Sequence, residues 1–507
     1  MNNPGGCLSA SRLIWKGCFM EKTIAAVSTA FGKGGIAVIR ISGEDAVGIA
    51  GRMFRPASGK ALSEYGNGRA VYGDIIKNGE RIDDGICTVF RAPHSYTGED
   101  TAEISCHGGI LITSRVLEAA FECGAVQAGA GEFTRRAFTN GRLSLSQTEA
   151  VGLVIDAVTD EQLKIASSQR RGNLRKKCDE LYESLKGVVT NIYAGIDFPD
   201  EDLTLMSGDE VKERLGEIYS ELEGMRGSYK AVRAASEGLR CVIAGKPNTG
   251  KSSLLNRLVG RDRAIVTDIA GTTRDTIEET VPVGKVLLRL CDTAGIRETE
   301  DAVERIGVDR ALGELSGAEL VLAVFDASVE IDDDDRAILE RLSGTDCVKI
   351  ALINKIDAAD QKSISEHEEY LMSSGAGFDC AVRISAEKGD GIDVLGSKIE
   401  ELYAGGKIDY DTAAVLVNAR QNASVTRAAE CISRALERLR EGSESDTIGF
   451  ELEEALCELG ELDGRRVSEE IVDGIFHHFC VESEDIWRRR DFRRMTAVLS
   501  AGTVGSR

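Results

Sequence analysis

The sequence has no apolar run long enough to span a membrane, no paired Cys-x-x-Cys spacing and no excess of basic residues. A membrane-spanning helix needs about 20 apolar residues, so the first absence predicts a protein without such helices. The 13 scattered cysteines argue against a zinc site or a disulfide framework and favour a reducing cytoplasm. The formal charge of −22 argues against a general nucleic-acid-binding protein. A local basic cluster, Arg170-Arg171 with Arg175 to Lys177, is either a binding patch or a solvated helix face.

The strongest motif is a phosphate-binding loop, GKPNTGKS at Gly245–Ser252. An apolar run typical of a buried strand precedes it, and a helical pattern follows. Glycines in such a loop let backbone N–H groups face phosphate oxygens, while Lys251 neutralises phosphate charge. The Ser252 hydroxyl suits Mg²⁺, which prefers oxygen ligands. The segment predicts a strand, loop and helix that bind a nucleotide.

Three further motifs predict selection of guanine and the rest of the metal site: GTTRD at Gly271–Asp275, DTAG at Asp292–Gly295 and NKID at Asn354–Asp357. The Asp357 carboxylate can accept hydrogen bonds from guanine N1–H and the exocyclic amine, which adenine cannot donate in the same way. Asp292 is placed for a water-mediated Mg²⁺ contact, Gly295 for the γ-phosphate, and Thr273 as the second magnesium ligand beside Ser252. The predicted GTP-binding residues are Asn248, Thr249, Gly250, Lys251, Ser252, Ser253, Thr267, Asp268, Ile269, Ala270, Gly271, Thr272, Thr273, Asp292, Thr293, Ala294, Gly295, Asn354, Lys355, Ile356, Asp357, Ser385 and Ala386.

One position departs from Ras-like enzymes. In those proteins a glutamine directly after the DxxG motif orients the attacking water. The motif is Asp292–Gly295 in this chain, and Ile296 follows it. An alkyl side chain cannot orient water. Transition-state charge must therefore be stabilised by an inserted cation, a partner's residue or a more distant side chain. Glu304 is a candidate for holding the water, although it also fits a solvated helix face.

The periodicity of the sequence predicts a multi-domain α/β and α protein. Residues 20–140 alternate short β-rich runs, glycine turns and helical patterns, which is typical of an α+β domain. Helical periodicity lies on both sides of the GTP-binding segment, and neither helical stretch has an obvious core of its own. We therefore expect one helical domain with a Ras-like P-loop GTPase domain inserted in it; separate domains in series are the alternative. The expected divisions are 1–19 (leader), 20–140 (α+β), 141–236 with 404–480 (helical), 237–403 (GTPase) and 481–507 (tail).

Several longer segments are distinctive: GKGGIAVIRISG at Gly32–Gly43, APHSYTGEDTAEISCHGG at Ala92–Gly109, GEFTRRAFTNGRLSLSQTEAV at Gly131–Val151 and NAR at Asn418–Arg420. With the GTP motifs, they make residues 23–480 resemble the tRNA modification GTPase family (MnmE, also called TrmE). The resemblance implies a homodimer joined through N-terminal folate-binding-like domains. It also implies that an FAD-dependent partner (the MnmG or GidA family) acts with it to modify the wobble uridine of certain tRNAs.

The resemblance also implies ligands for particular residues. By matching positions, 5-formyltetrahydrofolate or a related folate would contact Arg40, Glu103 and Arg142, the last standing where many members carry Lys. Potassium would activate hydrolysis by acting where an arginine finger would, when two GTPase domains pair. Its expected ligands are Asn248, Thr267, Ile269 and Thr272.

Two further catalytic roles follow from the same match. Glu304 stands where the family orients the attacking water, and Cys480 where it has a catalytic thiol. A lone cysteine near a helix end is otherwise a small buried apolar residue.

Both ends of the sequence depart from the family. Residues 1–19 have no clear periodicity and fit an upstream start codon chosen in error, or a disordered leader, better than a targeting peptide. The family ends with a cysteine, an apolar residue, Gly and Lys, whereas Glu482-Ser483-Glu484 follows Val481 in this chain. Loss of one G from GTG GGA AAG TGA G would produce this change, so we expect 482–507 to be out-of-frame translation; a basic nucleic-acid arm is the alternative.

Two other functions remain open from the sequence. Some ribosome-assembly GTPases share the potassium-type loop, although they usually add an RNA-binding module with a GxxG clamp, which neither flank resembles. A regulatory switch that only times partner binding with GTP is the second. Wobble-uridine modification distinguishes the main prediction from both.

Overall fold

A computed structural model of the chain describes residues 22–30, 32–198, 204–261, 279–291, 317–403, 408–442, 444–465 and 475. The chain divides into two compact units, 1–152 with 464–507, and 153–463. Residues 141–152, which the sequence pattern assigned to the helical domain, fall in the first unit. Within that unit, a Cβ on Gly464 would lie 2.9 Å from the Cβ of Leu145, so these two parts of the chain are in direct contact. The domain divisions given above remain predictions.

The described part of the first unit is built on a seven-stranded sheet, in the order β3-β4-β5-β6-β2-β1-β7. Antiparallel pairs form most of it, and β7 lies parallel to β1. Helices α1 and α2 bury apolar faces against it. The elements are β1 Ile24–Val27, β2 Ile36–Ser42, α1 Ala46–Met53, β3 Phe54–Pro56, β4 Ala70–Lys77, β5 Glu80–Phe90, β6 Thr101–His107, α2 Ile110–Glu122, β7 Val126–Gln127, α3 Glu132–Thr139 and α4 Leu145–Asp156, the last extending past the unit boundary.

The second unit contains a six-stranded sheet in the order β13-β12-β11-β8-β10-β9 among its described residues. All neighbours are parallel except β9, which pairs antiparallel with β10. Side chains alternate along β8: Cys241 and Ile243 enter one apolar core, Val242 and Ala244 the other. The elements are β8 Leu239–Ala244, α8 Lys251–Arg261, β9 Glu279–Val283, β10 Val286–Leu290, β11 Leu320–Asp326, α9 Asp333–Ser343, β12 Val348–Asn354, α10 Gln361–Ser373, β13 Cys380–Arg383 and α11 Ile392–Tyr403.

Helices from both flanks of this sheet share one apolar core. Leu185 and Leu215 precede the sheet in the chain, Ile432 and Leu452 follow it, and each is at most 2% exposed in the same cluster. Such a core cannot form from either flank alone, because each contributes only part of it. The helices are α5 Asp160–Arg171, α6 Asn173–Asp197, α7 Gly208–Ser236, α12 Ala419–Glu441 and α13 Ser445–Asp463. Among the described residues, no helix combines the length and apolarity that crossing a membrane requires.

Candidate functional site

The phosphate-binding loop joins β8 to α8 and passes close to neighbouring backbone. Gly250 has a φ of +99°, and a Cβ there would lie 2.2 Å from the side-chain nitrogen Nδ2 of Asn354. A Cβ on Gly245 would lie 2.6 Å from the carbonyl oxygen of Val324. Both positions therefore require glycine. The loop ends at the N-terminus of α8, where the first N–H groups of a helix and its dipole favour an anion.

Lys251 and Thr249 are held inside this loop. The Lys251 ammonium donates to the carbonyl oxygen of Lys246 at 2.7 Å, and the Thr249 hydroxyl donates to the same oxygen at 2.9 Å. Asn248 adopts the left-handed conformation with a φ of +64°, which asparagine tolerates better than most residues. The loop backbone is therefore tightly curved, and the Lys251 ammonium is held against it. This arrangement suits the binding of phosphate oxygens.

Asn354 joins the phosphate-binding loop to the loop that follows β13. Its side-chain amide donates to the carbonyl oxygen of Thr249 at 2.7 Å, and its side-chain oxygen accepts from the Ala386 N–H at 2.9 Å. Asn354 is 2% exposed. Arg257 on α8 adds a second link to the same loop, donating to the Ala386 carbonyl oxygen at 3.3 Å. Hydrogen bonds therefore join three loops that are distant in sequence: the phosphate-binding loop, the loop after β12 and the loop after β13.

Asp357 and Ser385 stand together at the predicted guanine position. A hydrogen bond from the Ser385 side chain lowers the pKa of Asp357, which lies 3.3 Å from the Lys388 ammonium. An ionised carboxylate is the form that accepts from guanine N1–H and the exocyclic amine. The Asp357 carboxylate is therefore an acceptor that fits guanine.

Lys355 is directed to a second acid. Its ammonium lies 2.7 Å from Asp326 at the end of β11, and its backbone φ is +60°. Burial acts to raise the pKa of Asp326, but hydrogen bonds from Lys355 and Ser328 outweigh it and lower the pKa. Nothing in the sequence pattern pointed to this pair, since Asp326 ends β11 and Lys355 directly follows β12, and only the parallel pairing of these two strands brings them together.

The other predicted residues of the site divide into two groups. Ser252 and Ser253 lie in the first turn of α8, and Ile356 donates its N–H to the Ile384 carbonyl oxygen at 3.3 Å. The remainder lie outside the described residues: Thr267, Asp268, Ile269, Ala270, Gly271, Thr272, Thr273, Asp292, Thr293, Ala294, Gly295, Ile296, Glu304 and Cys480.

The predicted folate residues lie in the first unit, around the strand pair β2 and β6. Arg40 stands opposite Glu103 in the register, and its guanidinium nitrogen lies 2.8 Å from the carboxylate. The guanidinium also lies over two rings, 5.1 Å from the centre of Tyr96 and 5.5 Å from that of Phe133. Cation–π contacts at these distances hold the Arg40 side chain in one orientation. The two rings were not predicted from the sequence.

Arg142 approaches the same loop by another route. Gly98, with a φ of +79°, follows Tyr96 by two residues, and a Cβ there would lie 3.1 Å from the Cγ atom of Arg142. The Tyr96–Gly98 segment therefore contacts Arg40 at one end and Arg142 at the other. The residue types present, a carboxylate, aromatic rings and arginines, fit a flat heteroaromatic ligand with carboxylates.

The basic cluster lies on α5 and α6, and part of it is matched by acids. Arg171 pairs with Asp411 at 2.9 Å, and Lys177 pairs with Glu221. These contacts favour the solvated-face alternative over a nucleic-acid patch.

Comparison with known proteins decides the family. Residues 23–142 match the family model "GTP-binding protein TrmE N-terminus", and residues 145–480 match the model "MnmE helical domain". The chain is 43% identical over 462 residues to tRNA modification GTPase MnmE of Symbiobacterium thermophilum, and 39% identical over 463 residues to that of Clostridioides difficile. Each alignment covers 91% of this chain and 99% of the relative. The chain belongs to the MnmE family.

Membership of the MnmE family makes the chain a GTP-binding enzyme that hydrolyses GTP, and confirms the resemblance stated from the sequence. Among solved structures, the G domain of the T. maritima FeoB iron transporter is 29% identical to the matched part. That match covers 33% of this chain and 98% of the other, with a TM-score of 0.24.

The Asn354 link makes a direct prediction about nucleotide affinity. Replacing Asn354 by Ala removes two buried hydrogen bonds and leaves the Thr249 carbonyl and the Ala386 N–H without that partner. Each buried unsatisfied group costs about 1–3 kcal/mol, and we expect about 1.4–2.8 kcal/mol of this loss to fall on nucleotide binding, which raises the Kd for GDP roughly 10- to 100-fold. Titration with a fluorescent GDP analogue measures this change.

The matched control is Asn256→Ala, an exposed position on α8, which should leave the Kd unchanged. Equal affinities for Asn354→Ala and the unaltered chain would show that the link does not shape the nucleotide site.

Proposed function

We propose that this MnmE family chain is a potassium-activated GTPase that works as a homodimer with an FAD-dependent partner of the MnmG family. Together they modify the wobble uridine of certain tRNAs in the cytoplasm, using a folate one-carbon unit. Family membership supports the tRNA modification, and the interlocked loops around Asn354 are the observation that supports the nucleotide chemistry.

Each nucleotide contact has an assigned role in this proposal. Lys251 neutralises charge on the β- and γ-phosphates, and Ser252 with Thr273 holds Mg²⁺, which supplies charge stabilisation at the phosphates. Asp357 selects guanine, with its pKa lowered by the Ser385 hydrogen bond. Glu304 orients the attacking water, since Ile296 cannot.

The phosphate-binding loop would hold a potassium ion in this proposal, and the bound ion would supply positive charge at the transition state. Among the expected ligands, Asn248 is the described one, and its left-handed backbone lies at the bend of the loop. A side-chain amide oxygen is a suitable donor for a hard monovalent cation. Thr267, Ile269 and Thr272 complete the set by matching positions.

Replacing Asn248 by Gly tests the potassium assignment. Glycine adopts the same φ of +64° without strain, so the variant removes the side chain, with its oxygen, and leaves the backbone conformation accessible. We expect the unaltered chain to hydrolyse GTP at least about tenfold faster in KCl than in NaCl, which corresponds to a barrier lower by about 1.4 kcal/mol or more. In Asn248→Gly the ratio of the two rates should fall to about one.

Two outcomes would contradict this assignment. Equal rates of the unaltered chain in KCl and NaCl would refute potassium activation itself. A potassium effect of full size in Asn248→Gly would refute Asn248 as a ligand.

Folate binding in the first unit is supported by the setting of Arg40. Its charge is matched by Glu103 and oriented by Tyr96 and Phe133, and the Arg40 side chain is still 24% exposed. A charged donor held in one orientation at a partly open surface can bind a carboxylate or a pterin oxygen with little loss of side-chain entropy.

Arg40→Met tests this site. Loss of a hydrogen bond to a charged group costs about 1.5–3 kcal/mol, so we expect the Kd for 5-formyltetrahydrofolate to rise at least about tenfold by calorimetry. Arg52→Met is the control, because Arg52 makes an exposed ion pair with Asp45 on the same unit and should not affect the Kd. Folate affinity that is equal in all three proteins would remove Arg40 from the site.

A connection between the GTPase sheet and the helices supports hydrolysis moving a helical body. Arg233, near the end of α7, contacts Glu319 through two nitrogen atoms at 2.7 and 3.2 Å. The Tyr403 hydroxyl, at the end of α11, donates to the Glu319 carbonyl oxygen at 2.6 Å. Arg233, just before the sheet in the chain, and Tyr403, just after it, therefore both contact Glu319, the residue that precedes β11.

A further inference from the structure

Lys246, the second residue of the phosphate-binding loop, makes contacts that its motif does not predict. Its ammonium lies 2.7 Å from Asp332 Oδ2 and 2.6 Å from Asp335 Oδ2. The Lys246 side chain is 12% exposed and that of Asp335 is 4% exposed. The Lys246–Asp335 pair is therefore largely buried, whereas Asp332 is 53% exposed, and the buried pair joins the loop to α9, 89 residues away.

The two acids form the N-terminal cap of α9. Asp332 Oδ1 accepts from the Asp335 N–H at 3.1 Å, and Asp335 Oδ2 accepts from the Asp332 N–H at 3.3 Å. The other oxygen of Asp335, Oδ1, is buried with no hydrogen-bond partner among the described residues. The carboxylate therefore relies on Lys246 and one backbone N–H. A buried charge left without its partner is strongly unfavourable, so Lys246 is held firmly in this place.

The main chain of Lys246 acts on the other side of the loop. Its carbonyl oxygen accepts the hydrogen bonds from the Lys251 ammonium and the Thr249 hydroxyl. One residue thus connects a fixed helix cap to the lysine assigned to the phosphates. If the Lys246 side chain loses its anchor, the carbonyl that orients Lys251 is free to turn.

The segment from Asp326 to Asp335 also contacts the loop that follows β12 and carries Asp357. At the start of this segment, Asp326 pairs with Lys355. At its end, Asp332 and Asp335 pair with Lys246. The 326–335 segment therefore fastens one lysine from each loop of the nucleotide site.

We propose that Lys246 is a positioning residue for GTP: Asp332 and Asp335 hold its side chain so that its carbonyl presents Lys251 to the phosphates. This inference rests on the proposed assignment of Lys251 to the nucleotide. Lys246 itself does not touch the reacting atoms. Its loss weakens binding of GDP and GTP alike and changes turnover at saturation little.

Four variants test the inference: Lys246→Ala, Lys246→Arg, Asp335→Asn and Asp333→Asn. We expect Lys246→Ala and Asp335→Asn to raise the Kd for GDP and the KM for GTP about 5- to 20-fold, with kcat within about twofold, since a buried ion pair is lost. Lys246→Arg keeps the charge and should restore the Kd to within about threefold, the range of a surface-pair effect. Asp333→Asn is the matched control, because Asp333 is in the same helix turn but is 96% exposed and pairs with Arg336.

The readouts separate positioning from a purely structural role. An unchanged Kd in Lys246→Ala would overturn the inference, even if the melting temperature of the nucleotide-free protein fell. A Kd for Lys246→Arg as high as that for Lys246→Ala would also overturn it. Failure of the unaltered chain to hydrolyse GTP would refute the proposed function instead, whereas loss of affinity confined to the two variants identifies Lys246 as the positioning residue.

Discussion

The nucleotide site depends on one buried amide. Asn354 holds the phosphate-binding loop through Thr249 and the loop after β13 through Ala386, and is almost completely shielded from water. An unsatisfied buried amide is costly, so all three loops must keep their positions together. Gly250 is part of the same constraint, because any side chain there would occupy the place of the Asn354 amide. The loops proposed to contact phosphate and guanine therefore belong to one interlocked arrangement.

The surrounding structure connects these loops to the sheet and to the helices on either side of it in the chain. The parallel strands of the sheet deliver Asn354 and Asp326 to the same edge as the phosphate-binding loop. The helices before and after the sheet share a core, to which the sheet is joined through Arg233 and Glu319. The Arg233–Glu319 ion pair therefore links α7 directly to the start of β11 in the sheet that carries the nucleotide loops.

The sequence predicted the parts of the site that are local and not those that depend on folding. The phosphate-binding loop at Gly245–Ser252 and the NKID segment at Asn354–Asp357 are recognisable from eight or fewer consecutive residues, so their loops and the roles of Lys251 and Asp357 could be proposed directly. Lys246 and Asp335 are 89 residues apart, and only the packing of α9 beside the loop brings them together. Tyr96 and Phe133 likewise meet at Arg40 only through the fold of the first unit. The boundary of that unit at residue 152 was also not predicted, because helical periodicity alone does not show which core a helix joins.

The most direct measurement is the nucleoside composition of tRNA at the wobble position. Mass spectrometry would compare a strain lacking its MnmE family gene with the same strain expressing this chain or its Lys251→Ala variant. The account predicts that the deletion lowers modified wobble uridine, that this chain restores it, and that Lys251→Ala does not. Wobble uridine that is unchanged by the deletion, or restored equally by Lys251→Ala, would contradict GTP-driven tRNA modification as the function of this chain.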